Sequence, residues 1–70
     1  MNISELNAEL ARKNISIPEL AKLMGVSKKL IYSRFKGETS FKHDEICKIV
    51  NILSLSQEKM MLIFFSKQVS

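Results

Sequence analysis

Lys28, Lys29, Tyr32, Ser33 and Lys36 fall within nine residues of this 70-residue chain and offer more chemistry than any other group in it. With a helical step of ~100° from Lys28, the positions of Lys29, Tyr32, Ser33 and Lys36 lie between ~40° and ~140°, while Ile31 and Phe35 lie near ~300° and ~340°. One side of such a helix presents cations and hydroxyls to an anion. The other supplies apolar side chains to a core. The charge distribution points to the same place. The chain nets +4, yet residues 22–42 set Lys22, Lys28, Lys29, Arg34, Lys36 and Lys42 against Glu38 alone. Residues 1–21 are slightly acidic and residues 43–70 are balanced. An excess confined to one window implies an anionic partner that touches one part of the fold.

Other chemistries lack their residues. Cys47 is the only cysteine and His43 the only histidine, which excludes a disulfide framework and leaves a zinc site almost without ligands. We find no Ser/His/Asp set in register, no Gly-rich phosphate loop and no paired carboxylates in a pocket-forming context, so no enzyme, cofactor or small-molecule ligand is expected. The longest apolar run, Met60 to Phe65, is far shorter than the roughly 20 residues that cross a bilayer. The N-terminus lacks a basic-then-apolar signal pattern. These features predict a soluble, cytoplasmic chain, and Met1 with the polar end is read as marking a whole gene product.

The elements that would position the basic stripe read as helices throughout. Apolar residues make up 46% and charged residues 26%, a globular balance rather than a disordered one. Two glycines and one proline leave too little turn material for a small β-sandwich. The reading is all-α, a single domain over 1–70 with five helices. The first runs from about Ile3 to Lys13, capped by Asn2 and ended by a left-handed Asn14. The second starts at Ser16 with Pro18 in its first turn and Glu19 reaching back, and Gly25 stops it. Leu20, Ala21 and either Met24 or Leu23 form its apolar face. Ser27 caps the third, Lys28 to Lys36, which Gly37 ends. Phe41 is expected to turn inward in the following loop. The fourth helix, His43 to Leu53, buries Ile46, Ile49, Val50 and Leu53, with Cys47 as a small apolar filler beside them. The fifth follows Ser56 through Phe65, the C-terminal helices together spanning 43–66, with a frayed tail over 66–70.

Two short helices, Ser16–Met24 and Ser27–Lys36, are thus joined by a tight Gly25-Val26 turn, with the small Ala21 four residues before Gly25 and a basic outer face on the second. The run PELAKLMGVSKKLIYSRFKGETSF, residues 18–41, resembles the helix-turn-helix of the lambda-repressor/Cro-like family of DNA-binding regulators. Leu20, Ala21, Gly25, Val26, Ser27, Ile31 and Gly37 carry the resemblance, and the segment DEICKIVNILSLSQEKMMLIFF is similar to the tails of short phage-type members. The resemblance implies a five-helix lambda-repressor-like fold with the helix-turn-helix over 16–37 and the third helix in the major groove of double-stranded DNA. Lys28, Lys29, Tyr32 and Ser33 would then face bases, the two lysines donating to guanine N7 and O6. Ser16, Ile17, Lys36, Thr39, Ser40 and Lys42 would face phosphates. It further implies a small repressor that acts by promoter occupancy as a homodimer on a palindrome, associated with the nucleoid when bound.

The last helix leaves two readings open. Met60, Ile63 and Phe64 share one face; Met61, Leu62 and Phe65 share the opposite one. Either the helix is buried all round, or Met61, Leu62 and Phe65 meet a second copy of the chain. A rival for the whole protein is a scaffold that keeps this fold as a protein-interaction module, antirepressor or antitoxin-like, with its lysines passive.

Overall fold

The computed structural model describes residues 1–65. The expectations for 66–70 lie outside the described residues. Five α-helices follow one another, α1 (Ile3–Arg12), α2 (Ile17–Met24), α3 (Lys28–Lys36), α4 (His43–Leu53) and α5 (Gln57–Met60), and the chain then widens into a π-helical turn, Met61–Phe65. No strand occurs among the described residues, so the fold is all-α there. No helix among them is long and apolar enough to cross a membrane.

Each helix begins and ends where local chemistry directs it. The Asn2 side chain accepts the Glu5 N–H at 3.1 Å, and Asn14 takes φ 56° after α1. Ser16 and Glu19 form a reciprocal capping box at the start of α2, which satisfies backbone donors that the helix itself leaves without partners. Gly25 closes α2 at φ 74°, and Gly37 closes α3 at φ 82°. A Cβ at either glycine would meet nothing within 4 Å, so the left-handed backbone alone calls for glycine there.

Leu6, Leu10, Leu20, Ala21, Met24, Ile31, Ile49, Leu53, Ile63 and Phe64 form one core drawn from every long helix and the π-helical turn. Met24, not Leu23, takes the core position on α2; Leu23 is 58% exposed. Phe41 turns inward as expected and packs edge-on against Phe35 at 5.9 Å and Phe64 at 5.8 Å. Polar fastenings close the gaps between helices. Lys59 Nζ lies 2.7 Å from Glu5 and 3.7 Å from Glu9, and Lys48 Nζ donates to the Met24 carbonyl at 3.3 Å, while within α1 Arg12 pairs with Glu9.

Three expectations are corrected. Cys47 is exposed and touches His43 Nε2 at 3.7 Å, because α4 is rotated so that Glu45, Ile49 and Leu53 face inward. At ~100° per residue Cys47 sits ~160° from the middle of that stripe. Ile46 and Val50, expected inside, are only half-buried, and Glu45 is buried with Ile49 and Leu53 instead. The last helix is α-helical only to Met60. Beyond it the π-helical turn admits an extra residue per turn, the adjacent Ile63 and Phe64 both reach the core, and the Ile63 carbonyl accepts the Asn2 N–H at 2.6 Å.

Candidate functional site

The turn between α2 and α3 is short and tightly bonded. The Gly25 N–H reaches the Lys22 carbonyl at 3.2 Å, and the Val26 N–H reaches the Ala21 carbonyl at 3.0 Å. Ser27 then caps α3 by accepting the Leu30 N–H at 3.1 Å. Ala21 is 1% exposed and Ile31 1% exposed, so both helices give their apolar sides to the core. The rotation of α3 is thereby fixed. Lys28, Lys29 and Lys36 are exposed, Tyr32 is 40% exposed and Ser33 is half-buried beside them.

Lysines are gathered on this face, although Lys13, Lys22 and Lys48 elsewhere also stand outside any ion pair among the described residues. Among the described residues, Lys28, Lys29, Lys36 and Lys42 have no carboxylate within 4.0 Å. Thr39, Ser40 and Lys42 are exposed in the segment joining α3 to α4. Lys42 is the N-cap residue of α4 and makes no side-chain cap bond. A lysine has no acceptor to offer there, and Glu45 Oε1 takes the Lys42 N–H at 2.9 Å instead.

The sequence-derived positions thus fall into two sets. Lys28, Lys29, Tyr32, Ser33, Lys36, Thr39, Ser40 and Lys42 lie on α3 and the segment after it, with Ser33 Oγ 3.1 Å from Thr39 Oγ1. Ser16 and Ile17 are arranged differently. The Ser16 N–H and hydroxyl both bond Glu19 Oε1, at 3.4 and 3.1 Å, and Ile17 packs against the core. The Glu19 carboxylate therefore stands at that end of α2, on the Ser16 N–H and hydroxyl.

An arginine that sequence reasoning left out of the site ties it together. Arg34, 7% exposed, sends Nε to Glu45 Oε1 at 2.9 Å and Nη2 to Glu45 Oε2 at 3.1 Å. The bond to Arg34, helped by the Lys42 amide, holds the Glu45 carboxyl below its ordinary range, and the bond to Glu45 raises Arg34. One signal was available. Arg34 sits at ~240° on the α3 wheel, on its apolar side, and an inward-facing arginine requires an acceptor.

Residues 1–67 match the family described as "Protein of unknown function (DUF739)". The chain belongs to the DUF739 family. No curated protein and no solved structure matches it significantly. Two further surfaces of this DUF739 chain lie away from α3. Met61, Leu62 and Phe65, 50%, 42% and 51% exposed, line with Gln57 and Glu58 an open groove of about 590 Å³. On α4, His43 and Cys47 adjoin, but no group of three or more metal-ligating side chains occurs among the described residues.

Proposed function

We propose that this DUF739 chain is a sequence-specific double-stranded DNA-binding protein, a small helix-turn-helix transcriptional regulator of lambda-repressor/Cro-like type that represses by occupying promoters. The observation that carries the reading is the outer face of α3, where Lys28, Lys29 and Lys36 stand exposed with no carboxylate partner among the described residues. A protein that needed these lysines only for solubility would have no reason to gather them beside an exposed tyrosine, a serine hydroxyl and a loop bearing Thr39, Ser40 and Lys42. In the groove, Lys28, Lys29 and Tyr32 meet base edges, and Lys36, Ser40 and Lys42 hold phosphates. No catalytic step and no cofactor enter this reading.

A second copy of the chain is part of the proposal. The apolar strip of Met61, Leu62 and Phe65 joins two molecules, and a two-fold axis then sets both α3 helices in successive major grooves about one helical turn apart. The same exposed strip favours a second reading, a protein-interaction module whose lysines are idle.

Salt separates the two. Affinity for a duplex measured across salt concentrations is expected to fall linearly on a log–log plot, with a slope of about −0.9 for each phosphate neutralised. No affinity for any duplex, with an apolar partner bound equally well at all salt concentrations, favours the interaction module.

A further inference from the structure

Between α3 and α4, hydrogen bonds run unbroken from a buried ion pair to the surface. Both Glu45 oxygens accept from Arg34, at 2.9 and 3.1 Å. The remaining Arg34 nitrogen, Nη1, donates to Thr39 Oγ1 at 2.5 Å. Thr39 Oγ1 in turn lies 3.1 Å from Ser33 Oγ. Arg34 is 7% exposed, Ser33 half-buried and Thr39 exposed, so the chain leads outward from the protein interior.

Counting protons fixes its direction. A guanidinium only donates, so Thr39 Oγ1 accepts from Arg34. The Ser33–Thr39 pair then has two hydroxyl protons. One bridges the two oxygens, and the other finds no acceptor within the pair. Thr39 is the exposed member of the pair and Ser33 the half-buried one, so the outward donor that can reach a ligand is the Thr39 hydroxyl, with Ser33 donating to Thr39 Oγ1. The cation behind it polarises that donor, while Glu45 cancels the cation's net charge. The acceptor that suits such a donor, next to exposed Ser40 and Lys42, is an anionic oxygen.

We propose that Arg34 and Glu45 are positioning residues that turn the Ser33–Thr39 hydroxyl pair into one outward donor for a phosphate oxygen of DNA, a role that rests on the DNA-binding reading above. Thr39 touches the phosphate. Arg34 acts through Thr39, and Glu45 acts by holding the Arg34 fork in place. A lysine at position 34 keeps the charge and can still meet Glu45, but a single ammonium on a flexible stem does not reproduce the fixed fork that serves Glu45 and Thr39 together.

The test is a double-mutant cycle on duplex affinity with Thr39→Val and Arg34→Lys, with Thr39→Ser as rescue and thermal unfolding followed for each protein. Thr39→Val is expected to lose about fivefold to tenfold on every duplex alike, with the salt slope unchanged because the lost contact is neutral. Thr39→Ser stays within about twofold of wild type. Arg34→Lys loses a similar factor in the wild-type background and nothing more once Thr39 is valine. Losses that simply add, a Thr39→Val protein that binds like wild type, or a Thr39→Val protein with altered sequence preference would each overturn the inference while wild-type binding left the function standing. Failure of the wild-type protein to bind any duplex overturns both. If Arg34→Lys does not fold, the contrast between Thr39→Val and Thr39→Ser decides.

Discussion

Lys59 near the start of α5 and Lys29 near the start of α3 are the same residue type at similar places on their helices, yet their surroundings are opposite. Lys59 lies 2.7 Å from Glu5 and 3.7 Å from Glu9, and Arg12 joins the same cluster. Lys29 is exposed, and no carboxylate among the described residues comes within 4.0 Å of it. The α1–α5 side uses its cations to fasten two helices that are far apart in sequence. The α3 side leaves its cations to the solvent. Net charge treats these lysines alike, whereas pairing separates a lysine that fastens two helices from lysines left to the solvent, among which the α3 group is distinguished by its clustering.

That contrast is sharpened most by Lys29→Ala. If Lys29 meets a base, the variant loses about 1–3 kcal/mol of duplex affinity and relaxes preference at one position per half-site, with thermal stability unchanged. Met61→Lys examines the third kind of surface, the apolar strip. It is expected to shift the protein to monomer in sedimentation while helicity and unfolding midpoint hold; unfolding would instead place Met61 in the core. Lys42→Ala weakens all duplexes about equally and reduces the salt slope by about one. Lys59→Ala is expected to leave duplex affinity and salt slope as they are and to lower the thermal midpoint modestly. A loss of DNA binding in Lys59→Ala comparable with that in Lys29→Ala would erase the distinction between the two sides.

Acid acts on the paired carboxylates, both at the α1–α5 seam and between α3 and α4. Lys59, and then Arg12, hold the Glu5 carboxyl below its usual value near 4.5, and Arg34 does the same for Glu45. Groups with lowered folded pKa contribute stability that is complete above their unfolded value and is lost as pH falls through the folded one. Thermal midpoints are therefore expected to hold from pH ~7 to ~5 and to fall below pH ~4.5. Raising the salt concentration at neutral pH, which screens exposed charges, should weaken DNA binding much more than it weakens folding.

The sequence announced its helix boundaries because capping chemistry is local. Asn2, Ser16, Ser27, Gly25 and Gly37 each act within four residues, and the structure uses all five as expected. The basic stripe on α3 was legible for the same reason, since one helix's period sorts Lys28, Lys29 and Tyr32 from Ile31 and Phe35. What escaped the sequence depends on distant partners. Arg34 and Glu45 are eleven positions apart, and neither alone reveals that it is buried. With the pair formed, Glu45 lies inside and Cys47 outside, and an apolar-stripe argument on α4 alone could not foresee that rotation. The π-helical turn escaped for a similar reason: the helix widens so that adjacent Ile63 and Phe64 both reach a core built by other helices. The Arg34–Thr39–Ser33 chain also needed coordinates, because it depends on Arg34 Nη1 reaching Thr39 Oγ1 while Nε and Nη2 hold Glu45.

Selection from a random-sequence duplex pool at near-physiological salt tests the central claim most directly. The expected result is an enriched palindrome whose half-sites lie about one helical turn apart, with preference relaxed at one position per half-site in Lys29→Ala and unchanged in Lys59→Ala. Retention of duplexes without any enriched sequence, or no retention at all, would contradict a sequence-reading role for the α3 face.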